Sequence, residues 1–291
     1  MQEILQYLFS GITSGAIYAV IALGFSMLYN STDLINFAHG EFVMLGGLTL
    51  VTLWAGLGLP LVVALLLSVV AVAVVGAAFQ RLAIATVKNP HPIVLVIITV
   101  GTSILLRGVA MVVWGKDSHS VPFFSNHAPI DIAGAKLLPQ SLWIFAIAAV
   151  IIVALQFFFK ATLTGKAMEA CAVSRRAAWL TGIPTGRMNL LAFIISTGSG
   201  AVAGAIIAPI TMCSYDMGTM LGLKGFCAAM LGGLGSLWGA LAGGFLLGIL
   251  EAAGVGLFSS GYKDAIAFVL LLLILYVKPS GLLGSAKVQR F

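Results

Sequence analysis

Charge is scarce in this chain. Of its 291 residues only 8% are Asp, Glu, Lys or Arg, while 60% are hydrophobic, and the mean hydropathy is +1.12. A soluble globular domain carries about 25% charged residues. So few charges cannot cover a water-exposed surface for a chain of this length, so lipid must be the solvent over most of it. Cysteine is scarce as well. Cys171, Cys213 and Cys227 are too few and too scattered for a disulfide framework or a metal site, and they read as small apolar side chains. Catalytic signatures are missing too. Thr197-Gly198-Ser199-Gly200 lacks the first glycine of the Gly-x-Ser-Gly expected of an intramembrane serine protease. Asp216 and Asp264 fall at span ends, where an aspartyl protease would need a pair within spans. No Cys/His metal spacing and no phosphate-binding loop occurs, so ATP cannot be bound in the Walker manner. The expectation is a chain that is not an enzyme and needs no cofactor. The opening Met1-Gln2-Glu3-Ile4 lacks a basic n-region, so the first apolar segment is expected to remain as a span.

Long apolar runs dominate what is there. A spanning helix needs about 20 mostly apolar residues. Nine candidates are readable: 5–29, 34–56, 60–80, 92–114, 141–160, 189–211, 218–235, 238–258 and 262–278. The second and seventh are rich in glycine and carry polar residues, so either could be a half-helix or a re-entrant segment. The prediction is an all-α polytopic bundle of eight to ten spans, forming one transmembrane domain over 1–291.

The net charge of +6 and pI near 9.4 come from basic residues in short loops, where they set topology and do not mark a nucleic-acid partner. With the N-terminus outside, ten fall inside: Arg81, Lys88, Lys160, Lys166, Arg175, Arg176, Arg187, Lys278, Lys287 and Arg290. Lys116, Lys136 and Lys263 fall outside, and Arg107 and Lys224 lie within spans, which accounts for all 15. That bias predicts N-out, C-in. Met44-Leu45-Gly46-Gly47-Leu48 recurs as Met230-Leu231-Gly232-Gly233-Leu234, in spans two and seven. Pairing spans one to four with six to nine would make an inverted-topology repeat, or the match is chance in a Gly/Leu-rich chain.

Four constellations stand out. Asn36-Phe37-Ala38-His39-Gly40-Glu41 puts Asn, His and Glu at the start of an apolar span. A buried membrane carboxylate costs several kcal/mol unless paired or wet, so Glu41 should face a cavity or a partner. Asn36, His39 and Glu41, with Ser196 and Thr197 as hydroxyls in span six, are the candidate pathway residues. The alternative is that they cap the helix start and bond neighbouring helices. Next, the inner loop 161–188 carries a polar, Ala-rich helix over 166–180, with Gly182 suited to end it and Pro184 forbidding continuation. It is too short to span and well suited to dock on a partner, or else to lie on the lipid surface. Glycine spacings such as Gly200-xxx-Gly204, Gly239-xxx-Gly243 and Gly244-xxx-Gly248 permit close helix packing. Finally, Arg107 and Glu251 lie at similar predicted depth and could form an ion pair, with Lys224 as a rival partner. The outer loop 115–140 carries Asp117, His119, His127 and Asp131.

These residues resemble a known family. Gly11-Ile12-Thr13-Ser14-Gly15-Ala16-Ile17-Tyr18-Ala19 with Ile35 to Glu41 looks like the start of the branched-chain amino acid ABC importer permeases of the Liv type. Gly165-Lys166-Ala167-Met168 and Ala177 to Ile183 look like their cytoplasmic coupling segment. Leu231 to Ser236 with Gly239-Ala240, then Tyr262-Lys263-Asp264 and Lys278 to Gly284, are similar to their late motifs. The resemblance runs over nearly the whole chain and in order. It implies a bacterial inner-membrane permease that pairs with a second, similar permease, binds two cytoplasmic ATP-binding subunits and takes an amino acid from a periplasmic binding protein. It implies coupling through Lys166, Met168, Arg175, Arg176, Trp179 and Gly182, and docking of the binding protein on 115–140. Where the family has an acidic residue followed by Asn, and a basic residue near the helix start, this chain has Val173, Ser174 and Glu169. The same family includes carriers of urea and short amides. A self-sufficient secondary transporter or channel for a small polar solute stays open as an alternative from the residues alone, as does a non-transporting assembly subunit.

Overall fold

The structure, a computed structural model, describes residues 2–87, 91–125, 128–132, 134–257, 260–278 and 280–284. Lys88, His127, Pro279, Lys287 and Arg290 lie outside them. In chain order the helices are α1 (Gln2–Thr32), α2 (His39–Leu50), α3 (Leu61–Phe79), α4 (Pro92–Trp114), α5 (Pro139–Ala161), α6 (Leu163–Val173), α7 (Arg175–Leu180), α8 (Thr185–Ile207), α9 (Met217–Gly232), α10 (Leu237–Leu257) and α11 (Lys263–Val277). A π-helical turn continues α2 over Val51–Gly56, and another continues α3 over Gln80–Ile84. Each of the nine apolar segments therefore holds a helix. Six are long and apolar enough to cross a membrane: α1, α3 with its π turn, α4, α5, α8 and α10, whereas α9 is shorter. The Val-rich stretch of α3 would be a poor helix in water. In lipid every backbone N–H and C=O must be satisfied within the segment, and that requirement overrides side-chain propensity. Pro92 and Pro139 open α4 and α5 at positions that need no N–H donor.

Burial sorts the helices. α1 and α8 are mostly buried, while α3, α4 and α5 turn apolar faces outward. α1 packs along α10 through two facing ladders of small residues, Gly11, Gly15 and Ala19 against Gly248 and Gly244. A Cβ at Gly11 would lie 2.9 Å from the Ile249 Cα. The expected small-residue spacings thus bring backbones together, as lipid-embedded helices require. α2 fits between α8 and α9 in the same way, with Gly204 against Val43 and Gly47.

Three local features differ from the sequence reading. First, 166–180 is two helices. Ser174 adopts φ −158° and ψ 107°, and its hydroxyl accepts from the Ala177 N–H at 3.2 Å. A serine that caps the helix following it offers the backbone an alternative to continuing the one before. The C-terminal stop is as expected: Gly182 has φ +87°, its N–H bonds Trp179, and the Ile183 N–H bonds Ala178, closing a Schellman motif. Second, the connection between α4 and α5 holds a hairpin, β1 (Ile130–Ile132) antiparallel to β2 (Ala135–Leu137), so the fold is mostly but not wholly helical. Asp131 accepts from the Gly134 N–H at 2.9 Å to fix its turn. Third, the second segment does not begin as a helix at 34. Residues 33–38 run back into the bundle as irregular backbone.

Candidate functional site

That irregular stretch is the centre of the site. The His39 ring meets Gly24, which lies 8 residues before the end of α1, or roughly 12 Å along the helix. Non-helical backbone at such depth survives only when its polar groups find partners inside the protein. Asn36 provides one: its Oδ1 accepts from the Ala38 N–H at 3.1 Å, and its carbonyl accepts from the His39 N–H at 3.1 Å. Thr99 of α4 provides another, accepting from the Phe37 N–H at 3.3 Å. Asn36 is therefore the turn that starts α2.

Glu41 follows in the first turn of α2, where a carboxylate suits the helix dipole. It is 1% exposed. Its Oε1 accepts from Ser103 of α4 at 2.9 Å and from Thr219 of α9 at 3.3 Å. Thr219, having given its proton to Glu41, accepts from Arg107 Nη1 at 3.2 Å. The carboxylate and the guanidinium are thus linked through one hydroxyl. Glu41 Oε2 is buried without a partner among the described residues. Ser103, Arg107 and Thr219 line a cavity of about 250 Å³ whose other walls include Phe25, Phe37, Val100, Ile104 and Phe226. One end of the site is thus polar, with Arg107 in its wall and Glu41 behind Ser103 and Thr219, and the other is aromatic and aliphatic. Apolar walls with a few placed polar groups are the usual make-up of a small-molecule site.

His39 and Ser196 meet, with Nδ1 3.4 Å from Oγ, and Ser196 also donates to the Gly24 carbonyl at 2.9 Å. The imidazole is fully buried, edge-on to Phe25 with centroids 4.6 Å apart. It wedges α1, α2 and α8 together. Thr197 points the other way: its hydroxyl bonds back to the Phe193 carbonyl at 2.8 Å and its side chain packs on Gly76 of α3. Of the five candidate pathway residues, Glu41 reaches the cavity network, His39 and Ser196 form a hub beside it, Asn36 makes the turn, and Thr197 faces away. Ser103 and Thr219 were not singled out from sequence. Isolated hydroxyls in apolar helices give no signal until a carboxylate is placed opposite them.

Arg107 and Glu251 do not pair. Equal depth along two helices does not make the helices neighbours, and α9 stands between them. Thr219 and Lys224 are 5 residues apart on α9, so they point about 140° apart. One turns to Arg107 of α4, the other to Glu251 of α10. Lys224 Nζ lies 3.0 Å from Glu251 Oε1 and 2.6 Å from Asp264, and Lys263 lies 3.2 Å from Glu251.

On the segment between α5 and α8, Lys166, Arg175, Arg176 and Trp179 are exposed, along with Val173 and Leu180, while Met168 is buried as an anchor. Burial also holds the Cys171 thiol above its ordinary range, against the opposing effect of Arg175. Gly182 makes the turn that leads into α8.

This combination defines a class: a polytopic membrane permease with a buried carboxylate beside a polar-walled cavity and an exposed basic–aromatic segment. The family model "Branched-chain amino acid transport system / permease component" matches residues 7–275. The high-affinity branched-chain amino acid transport system permease protein LivH of Escherichia coli (strain K12) is 35% identical over 301 residues, covering 98% of this chain and 97% of that one. LivH of Salmonella typhimurium is 33% identical over 98% of this chain and 97% of its own length. BraD of Pseudomonas aeruginosa, a permease protein of the same description, is 32% identical over 98% and 97%. The chain belongs to the branched-chain amino acid transport permease family. It is a permease component of an ABC transporter and not itself an enzyme.

Proposed function

We propose that this chain is the membrane-spanning permease subunit of an ATP-driven importer for branched-chain amino acids in a bacterial cytoplasmic membrane. The observation that carries the proposal is the family match over residues 7–275. The cavity beside Glu41 supports it, since a zwitterion with an apolar side chain needs both charge signs and an apolar wall in one place. In this reading the chain runs N-out to C-in, its two halves are inverted repeats, and it pairs with a second, similar permease. Two cytoplasmic ATP-binding subunits engage α6 and α7 through Lys166, Arg175, Arg176 and Trp179. A periplasmic binding protein docks on the 115–140 loop. ATP-driven motion passes from the inner segment to α8 and α1 and opens the path past Glu41, His39 and Ser196, with Asn36 and Thr197 holding its walls. Asn189 supports that route. With its amide oriented to satisfy both neighbours, it accepts from Arg175 at 2.9 Å and donates to the Ser31 carbonyl at 3.2 Å. The test is radiolabelled leucine uptake into proteoliposomes, with this chain alone and then with its partners and internal ATP. Uptake that needs partners and ATP, and falls at least tenfold in Glu41→Ala, is expected. Uptake by this chain alone, indifferent to ATP, would replace the proposal with a channel or secondary transporter.

A further inference from the structure

A second polar site lies away from the Glu41 cavity, where α1, α9, α10 and the start of α11 converge. Its centre is Glu251, 1% exposed in the wall of α10. Three donors crowd onto a single oxygen: Tyr18 Oη at 3.2 Å, Lys224 Nζ at 3.0 Å and Lys263 Nζ at 3.2 Å all reach Oε1. The other oxygen, Oε2, is buried and has no partner among the described residues. A membrane-buried carboxylate held half-satisfied is costly, so its free lone pairs are the feature to explain.

Two cavities flank it. One, of about 360 Å³, is lined by Glu251, Lys263, Ser10 and Ser14, with Tyr7, Ala252 and Val255 as its apolar side. The other, of about 310 Å³, takes in Tyr18 and Lys224 and shares Ser10, Ser14 and Lys263 with the first. Both volumes fall in the range of small-ligand sites, about 300–1,000 Å³. Gln6, Ser10, Ser14 and Tyr18 recur every fourth residue along α1, so one face of the helix is a polar track leading to the Glu251 cluster. Ser10 is exposed, Ser14 is half-buried, and both line the two cavities, so their hydroxyls are open to a ligand.

We infer that this cleft is a transient binding site for the substrate's α-ammonium and α-carboxylate, on the entry side of the permease. The inference rests on the importer reading above. The ammonium would take the free Oε2 of Glu251, and its charge would loosen Lys263 from Oε1, since the Lys263 side chain is 48% exposed and can swing. The released Lys263, with Ser10 and Ser14, would take the carboxylate. Every buried charge keeps a partner through the exchange, because Lys224 stays between Glu251 and Asp264. That matters, since breaking a buried pair outright is strongly destabilising. An amine alone would leave Lys263 without an anion, and an acid alone would leave Oε2 empty, so the site selects the zwitterion. Tyr7, Ala252 and Val255 would receive an apolar side chain.

The test uses the whole transporter in proteoliposomes, with Ser10→Cys as the reporter and the three native cysteines replaced by Ala. The rate of maleimide labelling is measured with leucine, with 4-methylpentanoate, which lacks the ammonium, and with isoamylamine, which lacks the carboxylate. Protection follows 1 + [L]/Kd, so leucine at about ten times its Kd slows labelling about tenfold. The two analogues leave it unchanged, and Glu251→Gln or the half-exposed Lys263→Gln abolishes the protection. A purely structural ion cluster would leave labelling unaffected by all three ligands, and that result overturns the inference, as does equal protection by all three. Should Ser10→Cys disturb assembly, Ser14→Cys reports on the same wall. ATP-driven leucine accumulation without protection would remove this site and leave the importer. Protection without accumulation would do the reverse.

Discussion

Gly40→Ala should cost this protein more than its single methyl suggests. A Cβ at Gly40 would lie 2.7 Å from the Gly222 Cα and 2.9 Å from the Gly222 nitrogen, and would clash more closely with the Gly218 carbonyl. Carbon atoms pack at about 3.5–4.0 Å, so α2 and α9 would have to part by roughly 1 Å. All three obstacles are backbone, so no side chain can swing away. Overpacking of this kind costs about 1–3 kcal/mol. The separation also acts on function, since Glu41 and Thr219 meet across the same contact at 3.3 Å and a further ångström breaks that bond. The assay is the denaturation midpoint of the purified permease in detergent, alongside leucine uptake. Gly101→Ala is the control, because a Cβ there on α4 meets nothing within 4 Å. The expected result is a destabilised Gly40→Ala with uptake lost, and a Gly101→Ala close to wild type. Equal stability and uptake in the two would refute the claim that backbone contact at Gly40 holds the Glu41 network in register.

Lys224→Met should destabilise the bundle by up to about 3 kcal/mol, because the buried Glu251 then keeps only Tyr18 and the half-exposed Lys263, while Lys224→Met with Glu251→Leu recovers most of the loss by removing the under-compensated charge; denaturation of both variants decides it. Arg175→Glu/Arg176→Glu, on exposed positions of α7, should abolish co-purification with the ATP-binding subunits while the permease itself remains folded; retained co-purification would remove α7 from that interface. Because burial raises the Cys171 thiol, less of it is thiolate at any given pH than for a free cysteine. Its maleimide labelling should be slow at neutral pH and keep rising with pH beyond the range where an exposed thiol levels off, read on a variant with Cys213 and Cys227 replaced.

Much of this protein follows from the chain alone. Nine helices sit within the apolar runs, because backbone in an apolar solvent must satisfy its own hydrogen bonds. The stop at Gly182 and the close packing at Gly244 and Gly248 follow from the absence of a Cβ. That Glu41 meets partners inside the bundle follows from the cost of a carboxylate in an apolar span. Tertiary structure decided which partners these groups meet. Ser174 could have continued a helix or capped one, and the cap prevailed. Arg107 and Glu251 matched in depth, yet the interposed α9 gave each a different partner. Ser103, Thr219 and the Ser10–Ser14 track carry no mark in the sequence, because a hydroxyl in an apolar helix becomes significant only when another helix brings a charge to it. Periodicity and composition set what each segment must be; which faces turn toward one another depends on packing among all the helices at once, and that is where the polar site was made.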